Sequence, residues 1–414
     1  MPQQDPNPPQ KKVVPMENST PAHSVPLGST PAHQAWARLA DHLREWYYQP
    51  DLEALEITLA AVCSHYLISA DPIWIFVVAP PATGKSIILN GLAGLENTHT
   101  IGDLSPKSFL SGYRNKKKRS LLHQVGSGIL LFKDFTTFMS KRDHDRMELA
   151  SYLREIYDGK FSRHAGTGQV PPWEGKITVI AAATPALERA WGVMRELGER
   201  FVTVRWPRPD GIKLAQFARK QIGHERHIKE KTQALIQQIV QPAKLTTPDP
   251  LPSAMESKLE FLSEAVARLR AQIHRDGHGA REVVHVNPPE GPARLLKALE
   301  LATRFHAQVL GNGKPEDSLR IAQRLAFDSI PSKRLQVMMT IAPGQDEFGG
   351  TTWGDIIKKT GWTKNGVRWI TDELEAIGVI RRDPTAETEV VYTLAPDFEP
   401  IWVEALGLFP HSHP

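Results

Sequence analysis

Residues 79–86 read Ala-Pro-Pro-Ala-Thr-Gly-Lys-Ser, and the end of this stretch has the residue types of a phosphate-binding loop. Backbone N–H groups of such a loop surround phosphates, the lysine reaches the β and γ oxygens, and the serine hydroxyl binds Mg²⁺. The pattern therefore predicts ATP and Mg²⁺ as cofactors. Ala79 stands where the first glycine is expected, and we expect the loop to tolerate this small residue. The predicted nucleotide-binding residues are Ala82, Thr83, Gly84, Lys85, Ser86 and Ile87, with Ser86 also a Mg²⁺ ligand.

A second group with chemical potential follows the apolar run Gly-Ile-Leu-Leu-Phe at residues 128–132. An ATP hydrolase needs a carboxylate at the end of a second strand, either to hold Mg²⁺ or to orient the attacking water. Asp134 fits this requirement, and the sequence leaves open which of the two roles it has. Lys133 occupies the place where many such ATPases carry another acid. The alternative is that Asp134 is a surface aspartate after a strand.

The elements that would position these groups are buried parallel strands. Continuous apolar runs at residues 73–79, 128–132 and 177–184 are separated by stretches with helical spacing. Two amphipathic helices are predicted between Trp36 and the first run. The fold class predicted is therefore α/β, with a parallel sheet covered by helices on both faces. Residues 246–253 are predicted to form a loop, and residues 256–330 are predicted to be all-helical.

Composition narrows the protein class without deciding it. The chain has 414 residues, with 50 Lys plus Arg against 46 Asp plus Glu, so the net charge of +4 alone predicts no nucleic-acid partner. The single cysteine, Cys63, excludes an intramolecular disulfide and a cysteine-based metal cluster, and this composition is typical of a reducing compartment. Because no apolar run has the roughly 18 residues that a bilayer requires, we expect a cytoplasmic protein with no membrane partner.

Basic residues cluster between the two predicted phosphate-site segments, in Ser-Gly-Tyr-Arg-Asn-Lys-Lys-Lys-Arg-Ser at residues 111–120. Such a cluster attracts nucleic-acid phosphates, although a plain solvated charge run explains it equally well. The residues concerned are Arg114, Lys116, Lys117, Lys118 and Arg119. Arg163, His164 and Trp173 are further candidates for contact with a strand, through charge and stacking.

Residues 332–396 have the order helix, turn, helix, hairpin that is typical of a winged helix. Gly361 suits the turn, and Thr363 suits the N-cap of the second helix. Predicted DNA contacts are Lys364, Asn365 and Arg368 on that helix, with Arg381 and Arg382 at the start of the wing. Trp369, Leu374 and Ile377 are predicted to form its buried face. The alternative is a module that packs only against protein.

In this order the motifs resemble those of AAA+ ATPases, most closely minichromosome-maintenance-like replicative helicases and related ATPases of mobile elements. The resemblance spans residues 70–395 and implies a pre-sensor hairpin leading into the sensor-1 strand, which gives Thr184 a catalytic role. "LGERF" is similar to the segment that carries the arginine finger, here Arg200. "PARLLKALELATRFHAQVLGN", followed by "KPEDSLRIAQRLAFDSI", is similar to the helical lid, which implies a sensor-2 role for Arg294. In that family the arginine finger contacts the ATP bound to a neighbouring subunit. The resemblance therefore implies that Arg200 has this role in a homo-oligomer, which we expect to be a hexameric ring.

The predicted organisation has five parts: a disordered Pro-rich arm at 1–32, an ATPase core at 33–210, a helical region with the lid at 211–330, a winged helix at 331–396 and a tail at 397–414. The predicted catalytic set is Lys85, Asp134, Thr184, Arg200 and Arg294. The resulting hypothesis is a DNA-remodelling ATPase, most readily a replicative helicase that moves on single-stranded or forked DNA. Two alternatives stay open: a helicase loader or initiator, and a nucleotide-gated transcriptional regulator.

Overall fold

The computed structural model describes residues 30–110, 120–165, 168–189, 197, 200–276, 282–311, 314–341, 350–383 and 389–407. Its α-helices are α1 Pro31–Trp46, α2 Leu52–Ser64, α3 Ser86–Leu92, α4 Pro106–Leu110, α5 Leu121–Val125, α6 Thr136–Met139, α7 Asp143–Tyr157, α8 Ala186–Arg189, α9 Gly211–Gln221, α10 Glu225–Val240, α11 Ser253–Leu269, α12 Ala293–Phe305, α13 Leu319–Asp328, α14 Ser332–Met338, α15 Trp353–Thr360, α16 Lys364–Ala376 and α17 Glu399–Leu406. Its strands are β1 Trp74–Val78, β2 Thr98–Ile101, β3 Gly128–Phe132, β4 Lys160–Ala165, β5 Gly168–Glu174, β6 Ile177–Ala183, β7 Phe201–Arg205, β8 Ile273–Arg275, β9 Val283–Val286, β10 Thr351–Thr352, β11 Ile380–Arg382 and β12 Val391–Leu394.

A five-stranded parallel sheet lies at the centre, in the order β2, β3, β6, β1, β7. The three apolar runs predicted as buried strands are β1, β3 and β6, and every residue in them is buried. Helices and loops cover both faces of the sheet, so the side chains on both faces of these strands are buried. This burial explains why the three runs are apolar at every position instead of at alternate positions. The predicted α/β class with a parallel sheet flanked by helices is confirmed.

Alternate residues of β1 belong to two separate apolar clusters, one on each face of the sheet. Ile75 and Val77 pack with α2, α3 and α10, whereas Trp74 and Phe76 pack with α7 and the β4–β5 hairpin. This division follows from the two-residue period of a strand. Helices α1 and α2 lie where two helices were predicted, but α2 is not amphipathic, because all its residues from Ala54 to Ser64 are buried.

Residues 256–330, within the predicted helical region at 211–330, are not all-helical. Strands β8 and β9 form an antiparallel hairpin there, with His274 opposite His285. The Val-Val-His-Val sequence of β9 is rich in β-branched residues, which fit a pleated strand better than a helix. The predicted loop at 246–253 is confirmed for residues 246–252, which join the 3₁₀ turn Gln241–Leu245 to α11, but Ser253 already belongs to that helix.

The C-terminal elements build a second, three-stranded sheet in the order β10, β12, β11. Gly361 ends α15 in the left-handed conformation, with φ of +70°, and the Thr363 hydroxyl accepts a 3.3 Å hydrogen bond from the Gly366 N–H at the start of α16. Both features were predicted. The predicted tail at 397–414 instead contains α17, in which Trp402 is fully buried.

The predicted arm at 1–32 ends slightly too late, because Thr30 already caps α1 and residues 1–29 lie outside the described part of the chain. One apolar cluster runs without interruption from β1 and α2 to the C-terminal elements, including Leu374 and Trp402. Among the helices that the structure describes, none combines the length and apolar character needed to cross a bilayer.

Candidate nucleotide site

The phosphate-binding loop leaves the sheet as an extension of β1. The Ala79 N–H donates a 3.1 Å hydrogen bond to the Ala183 carbonyl of β6, and Ala79 is fully buried. Its φ lies outside the left-handed region, whereas Ala82 has φ of +59° and Gly84 has φ of +113°. The loop therefore requires no glycine at position 79, and the positions whose backbone has a positive φ are 82 and 84.

Gly84 is fixed by its surroundings as well as by its φ. A Cβ at this position would lie 3.3 Å from Ile87 Cδ1 and 3.4 Å from the Trp206 ring. The loop is closed by the Thr83 hydroxyl, which donates to the Pro80 carbonyl at 2.8 Å, and by the Ile87 N–H, which donates to the Gly84 carbonyl at 2.8 Å. Only glycine satisfies both the backbone and the packing here.

The two predicted phosphate ligands begin the next helix. Lys85 directly precedes α3, and Ser86 is its first residue, with an exposed side chain. Lys85 forms no salt bridge within the described part of the chain. An ammonium group and a hydroxyl group are thus available beside the loop, as binding of a Mg²⁺-triphosphate requires.

Asp134 and Thr184 lie at the same edge of the sheet as this loop. They follow β3 and β6, which are neighbouring parallel strands, and β6 in turn pairs with β1. Thr136 connects them, because its N–H donates to Asp134 Oδ1 at 2.9 Å and its hydroxyl lies 3.4 Å from the Thr184 hydroxyl. The structure therefore brings together Asp134, Thr184 and the loop. Thr136 was not predicted, although it stands two residues after Asp134.

A cavity of about 410 Å³ opens beside the loop. Gly84 and Ser86 line one side of it, and aromatic side chains line much of the rest: Tyr47, Tyr48, Trp206 and Phe217. The rings of Tyr48 and Phe217 lie 5.7 Å apart between centroids. An apolar, aromatic cavity joined to a phosphate loop has the chemistry to hold a purine base next to its phosphates. Sequence reasoning missed these residues, although Trp-Tyr-Tyr at 46–48 is a local signal.

Neither the protein-family models nor the curated proteins compared with this sequence gave a match. The interpretation of the site therefore depends on its own residues and geometry.

Arg200 and Arg294 are not at the loop of their own chain. Arg200 precedes β7 at the amino end of the strands, five residues before Arg205, which is opposite Val78. At a rise of about 3.3 Å per residue, this places Arg200 about 16 Å from the carboxyl edge. Burial, together with the positive charge of Arg294, lowers the pKa of Arg200, and the Asp158 carboxylate opposes this effect.

The two arginines differ in accessibility. The Arg200 side chain is 8% exposed and forms a 3.2 Å salt bridge with Asp158. The Arg294 side chain is 44% exposed and lies 3.8 Å from Glu290. The structure therefore brings the two arginines near each other, at the edge opposite the phosphate loop, with Arg294 the more accessible.

The helices implied as a lid are α12 and α13, and neither borders the cavity. Helix α12 packs against α2, α11 and α13. The helices that do border the cavity are α3, α9 and α10, through Asn90, Phe217 and Ile228 among others.

The predicted nucleic-acid residues divide into three groups. The cluster Arg114, Lys116, Lys117, Lys118 and Arg119 lies outside the described residues. Arg163 is described, and its guanidinium pairs with Glu155 and lies 4.9 Å from the Tyr152 ring centroid. It is therefore engaged within its own chain. Trp173 is buried, and its indole N–H donates to the Gly126 carbonyl at 3.0 Å, which removes it as a stacking surface.

The third group is on the C-terminal elements. Lys364 lies 5.0 Å from the Trp353 ring centroid, and Arg368 lies 3.6 Å from Asp372. Arg381 is exposed, and its Nε donates to the Thr393 hydroxyl at 3.3 Å. Arg382 forms a 3.2 Å salt bridge with Glu375. Acids on α16 thus neutralise part of this surface.

The predicted buried face of α16 is correct for Leu374, which is fully buried, and wrong for Trp369, which is 40% exposed. Arg275 from β8 lies over the Trp369 ring, 5.4 Å from its centroid, and its guanidinium donates to the Trp369 carbonyl at 2.6 Å. The β8–β9 hairpin, which was not predicted, therefore covers the Trp369 ring through Arg275, in place of the apolar core that was expected to cover it.

Proposed function

We propose that this chain is an AAA+-type ATPase that binds ATP and Mg²⁺ and remodels DNA as an oligomer, in the manner of a replicative helicase. The observation that carries the proposal is the junction of three parts at one sheet edge: the loop with Lys85 and Ser86, the pair Asp134 and Thr184, and the 410 Å³ aromatic cavity. Together they meet the needs of nucleoside triphosphate hydrolysis.

Each group has a defined part in the proposed reaction. The adenine base occupies the cavity among Tyr48, Phe217 and Trp206, and the phosphates follow the loop from Gly84. Lys85 neutralises charge on the β and γ oxygens, and Ser86 and Asp134 hold Mg²⁺. The hydroxyls of Thr136 and Thr184 orient the attacking water by hydrogen bonding.

The proposed oligomer follows from the positions of Arg200 and Arg294, which are not at the phosphate loop of their own chain. Phosphoryl transfer gains much from an arginine near the γ-phosphate, but Arg200 lies about 16 Å from the carboxyl edge of its own sheet, and Arg294 is near Arg200. A head-to-tail assembly brings the amino edge of one sheet to the carboxyl edge of the next, and closure of such an assembly gives a ring. In this arrangement Arg294 of one copy reaches the ATP of its neighbour.

Support for DNA as the substrate comes from the C-terminal elements. The order α14, β10, α15, α16, β11, β12 is the order of a winged helix, with α16 as the helix that would enter a groove. Of the four basic residues predicted to contact DNA there, Lys364 and Arg381 form no salt bridge within the described residues. The basic segment at 114–119 follows α4 closely in sequence and would add phosphate contacts.

The test measures phosphate release and strand separation in parallel, with ATP and forked DNA. Lys85→Ala should abolish both activities, because the β and γ oxygens lose their cation, while Lys258→Ala, which changes a lysine of α11 remote from the loop in sequence, should retain both. Unwinding that depends on Lys85 supports the helicase. DNA-stimulated hydrolysis without strand separation would instead indicate a loader, and sequence-specific duplex binding with negligible turnover would indicate a regulator.

A further inference from the structure

One pair of helices, α9 and α10, carries a net positive charge. Residues 208–231 contain seven cationic and three acidic residues, so their net charge is 7 − 3 = +4, equal to the net charge of the whole chain. The cations are Arg208, Lys213, Arg219, Lys220, Arg226, Lys229 and Lys231, and the acids are Asp210, Glu225 and Glu230. All but one of these residues are on α9 and α10 or directly precede them. The other 390 residues balance to zero.

The three acids of this segment are already engaged. Asp210 caps α9 by accepting hydrogen bonds from the N–H groups of Ile212 and Lys213. Glu225 accepts a 2.9 Å hydrogen bond from the Gly223 N–H, and Glu230 pairs with Arg226 at 2.7 Å. The remaining cations are therefore poorly neutralised.

Six exposed cations of the segment form no salt bridge within the described residues, namely Arg208, Lys213, Arg219, Lys220, Lys229 and Lys231. Lys213 lies over the Tyr48 ring, 5.3 Å from its centroid. Helix α9 has no buried residue at all. Its Leu214 and Phe217 line the nucleotide cavity, and Lys220 and Gln221 donate hydrogen bonds to the Glu45 and Trp46 carbonyls of α1 at 2.6 and 2.7 Å. The helix is thus held by its inner side, and its outer side is basic and open to water.

We propose that this outer surface of α9 and α10 binds the phosphate backbone of a nucleic-acid strand without regard to sequence. Unpaired cations spread over two helices, about 16 and 24 Å long, match a row of phosphates better than one small anion. The segment exposes two large apolar side chains, Ile212 and Ile222, while Leu214 and Phe217 line the cavity. Two isolated apolar side chains do not make the continuous apolar face by which a helix enters a bilayer, which favours nucleic acid over acidic lipid. The proposal goes beyond the proposed function, since it assigns a second nucleic-acid surface outside the C-terminal elements.

The surface shares its helices with the nucleotide cavity. Lys229 lines the cavity mouth on the same helix that carries Lys231. A strand bound outside would restrain α9 and α10, and the affinities for strand and nucleotide would then change by the same factor, as linkage requires.

The test compares two double variants that remove equal charge. Arg219→Gln with Lys231→Gln alters the surface, and Lys258→Gln with Lys314→Gln removes two cations elsewhere that also form no salt bridge within the described residues. Binding of a labelled single strand of about 30 nucleotides is followed by fluorescence anisotropy over a range of salt concentrations. For the surface variant we expect roughly tenfold weaker binding and a salt slope shallower by about 1.4, or about 0.7 per lost phosphate contact. The control should match the wild type.

Equal effects in the two double variants, or no effect in either, would overturn the proposal. Two further measurements distinguish a nucleic-acid surface from a lipid surface and from a role in the cavity. If the surface variant loses binding to phosphatidylserine vesicles but keeps oligonucleotide binding, the surface recognises lipid and the proposal is wrong. If it loses affinity for a fluorescent ATP analogue without nucleic acid present, the residues serve the cavity, and the proposal is again overturned. Unchanged analogue binding with weakened strand binding supports it, whether or not the protein unwinds DNA.

Discussion

Ala82 and Gly84 are the loop residues whose backbones adopt positive φ, and they differ in what surrounds them. An L-residue in the left-handed region costs about 1 kcal/mol, so Ala82 stores a small strain next to the phosphate site. Gly84 carries no such strain, but the Trp206 ring and Ile87 leave little room for a Cβ. Substitution should therefore be costly at Gly84 and nearly neutral when Ala82 is replaced by glycine.

Gly84→Ala should lower the free energy of unfolding by about 1–2 kcal/mol, because it adds both left-handed strain and a contact with Trp206. It should also weaken ATP binding by at least about tenfold, since the loop must shift. Ala82→Gly should leave binding unchanged and stability within about 1 kcal/mol of the wild type. Urea unfolding and titration with a fluorescent ATP analogue measure both effects. Equal loss of binding in the two variants would show that the loop backbone is not held as described.

The sequence placed residues of the candidate phosphate site where their signal is local. The spacing of Gly84, Lys85 and Ser86 lies within one turn of chain, and Asp134 directly follows an apolar run. Tyr48 and Phe217 are different, because they are 169 positions apart and meet only through packing. Nothing in either local sequence indicates the other, so the cavity could not be predicted.

The carboxyl end of α2 is an element boundary with an unusual charge arrangement. The Lys176 ammonium donates to the Ser64 and Leu67 carbonyls at 2.9 and 2.8 Å, and burial lowers its pKa to about 8. His65 lies beside it, with Nδ1 3.1 Å from the Thr178 hydroxyl. Burial, reinforced by the charge of Lys176, lowers the pKa of His65 to about 4.

The fold should consequently lose stability in mild acid. The folded pKa of His65 lies below its ordinary value of 6.5, so the unfolded chain binds more protons between these two values and stability rises with pH across that window. From about pH 5 to pH 7.5, the free energy of unfolding should rise by about 2 kcal/mol because of His65. Urea unfolding of the wild type and of His65→Gln at both pH values measures the difference. The same pH dependence in both proteins would contradict the assignment.

Among the elements, length decided what could be predicted. The runs that became β1, β3 and β6 are five to seven residues long and apolar throughout, so burial on both faces determines them locally. The strands β8 and β9 have three and four residues, and they are held by pairing with each other and by contact with α16. Such strands depend on tertiary neighbours, and the helical prediction for 256–330 failed for that reason.

For the whole molecule, the proposed hydrolysis would depend on contact between copies, because the two arginines lie at the sheet edge opposite the predicted phosphate loop. In the proposed assembly, each ATP is bound by one copy and stabilised in the transition state by the next. Arg294 suits this part better than Arg200, since 44% of its side chain is exposed against 8%. Reaching a neighbour from Arg200 would require release of its bond to Asp158.

Arg294→Ala should retain ATP binding and lose hydrolysis by at least about 10³-fold. Lys85→Ala should lose binding itself. When the two variants are mixed, Arg294 of one completes the site of the other at about a quarter of random interfaces, so hydrolysis should recover to that fraction of the wild-type rate. Arg44→Ala is the control, because Arg44 is 47% exposed and pairs within its own helix in a similar way. A mixture without recovery would show that Arg294 acts within its own chain or not at all.

One continuous apolar cluster extends from the central sheet to Trp402 beside the C-terminal sheet, so rotation of one sheet against the other would disrupt its packing. Helix α17 packs on α11, and the Gln323 amide of α13 donates to the Ala405 carbonyl at 3.0 Å, so the C-terminal sheet follows any tilt of these helices. We therefore expect a rotation near β7 to carry the C-terminal sheet and α16 with it as one body.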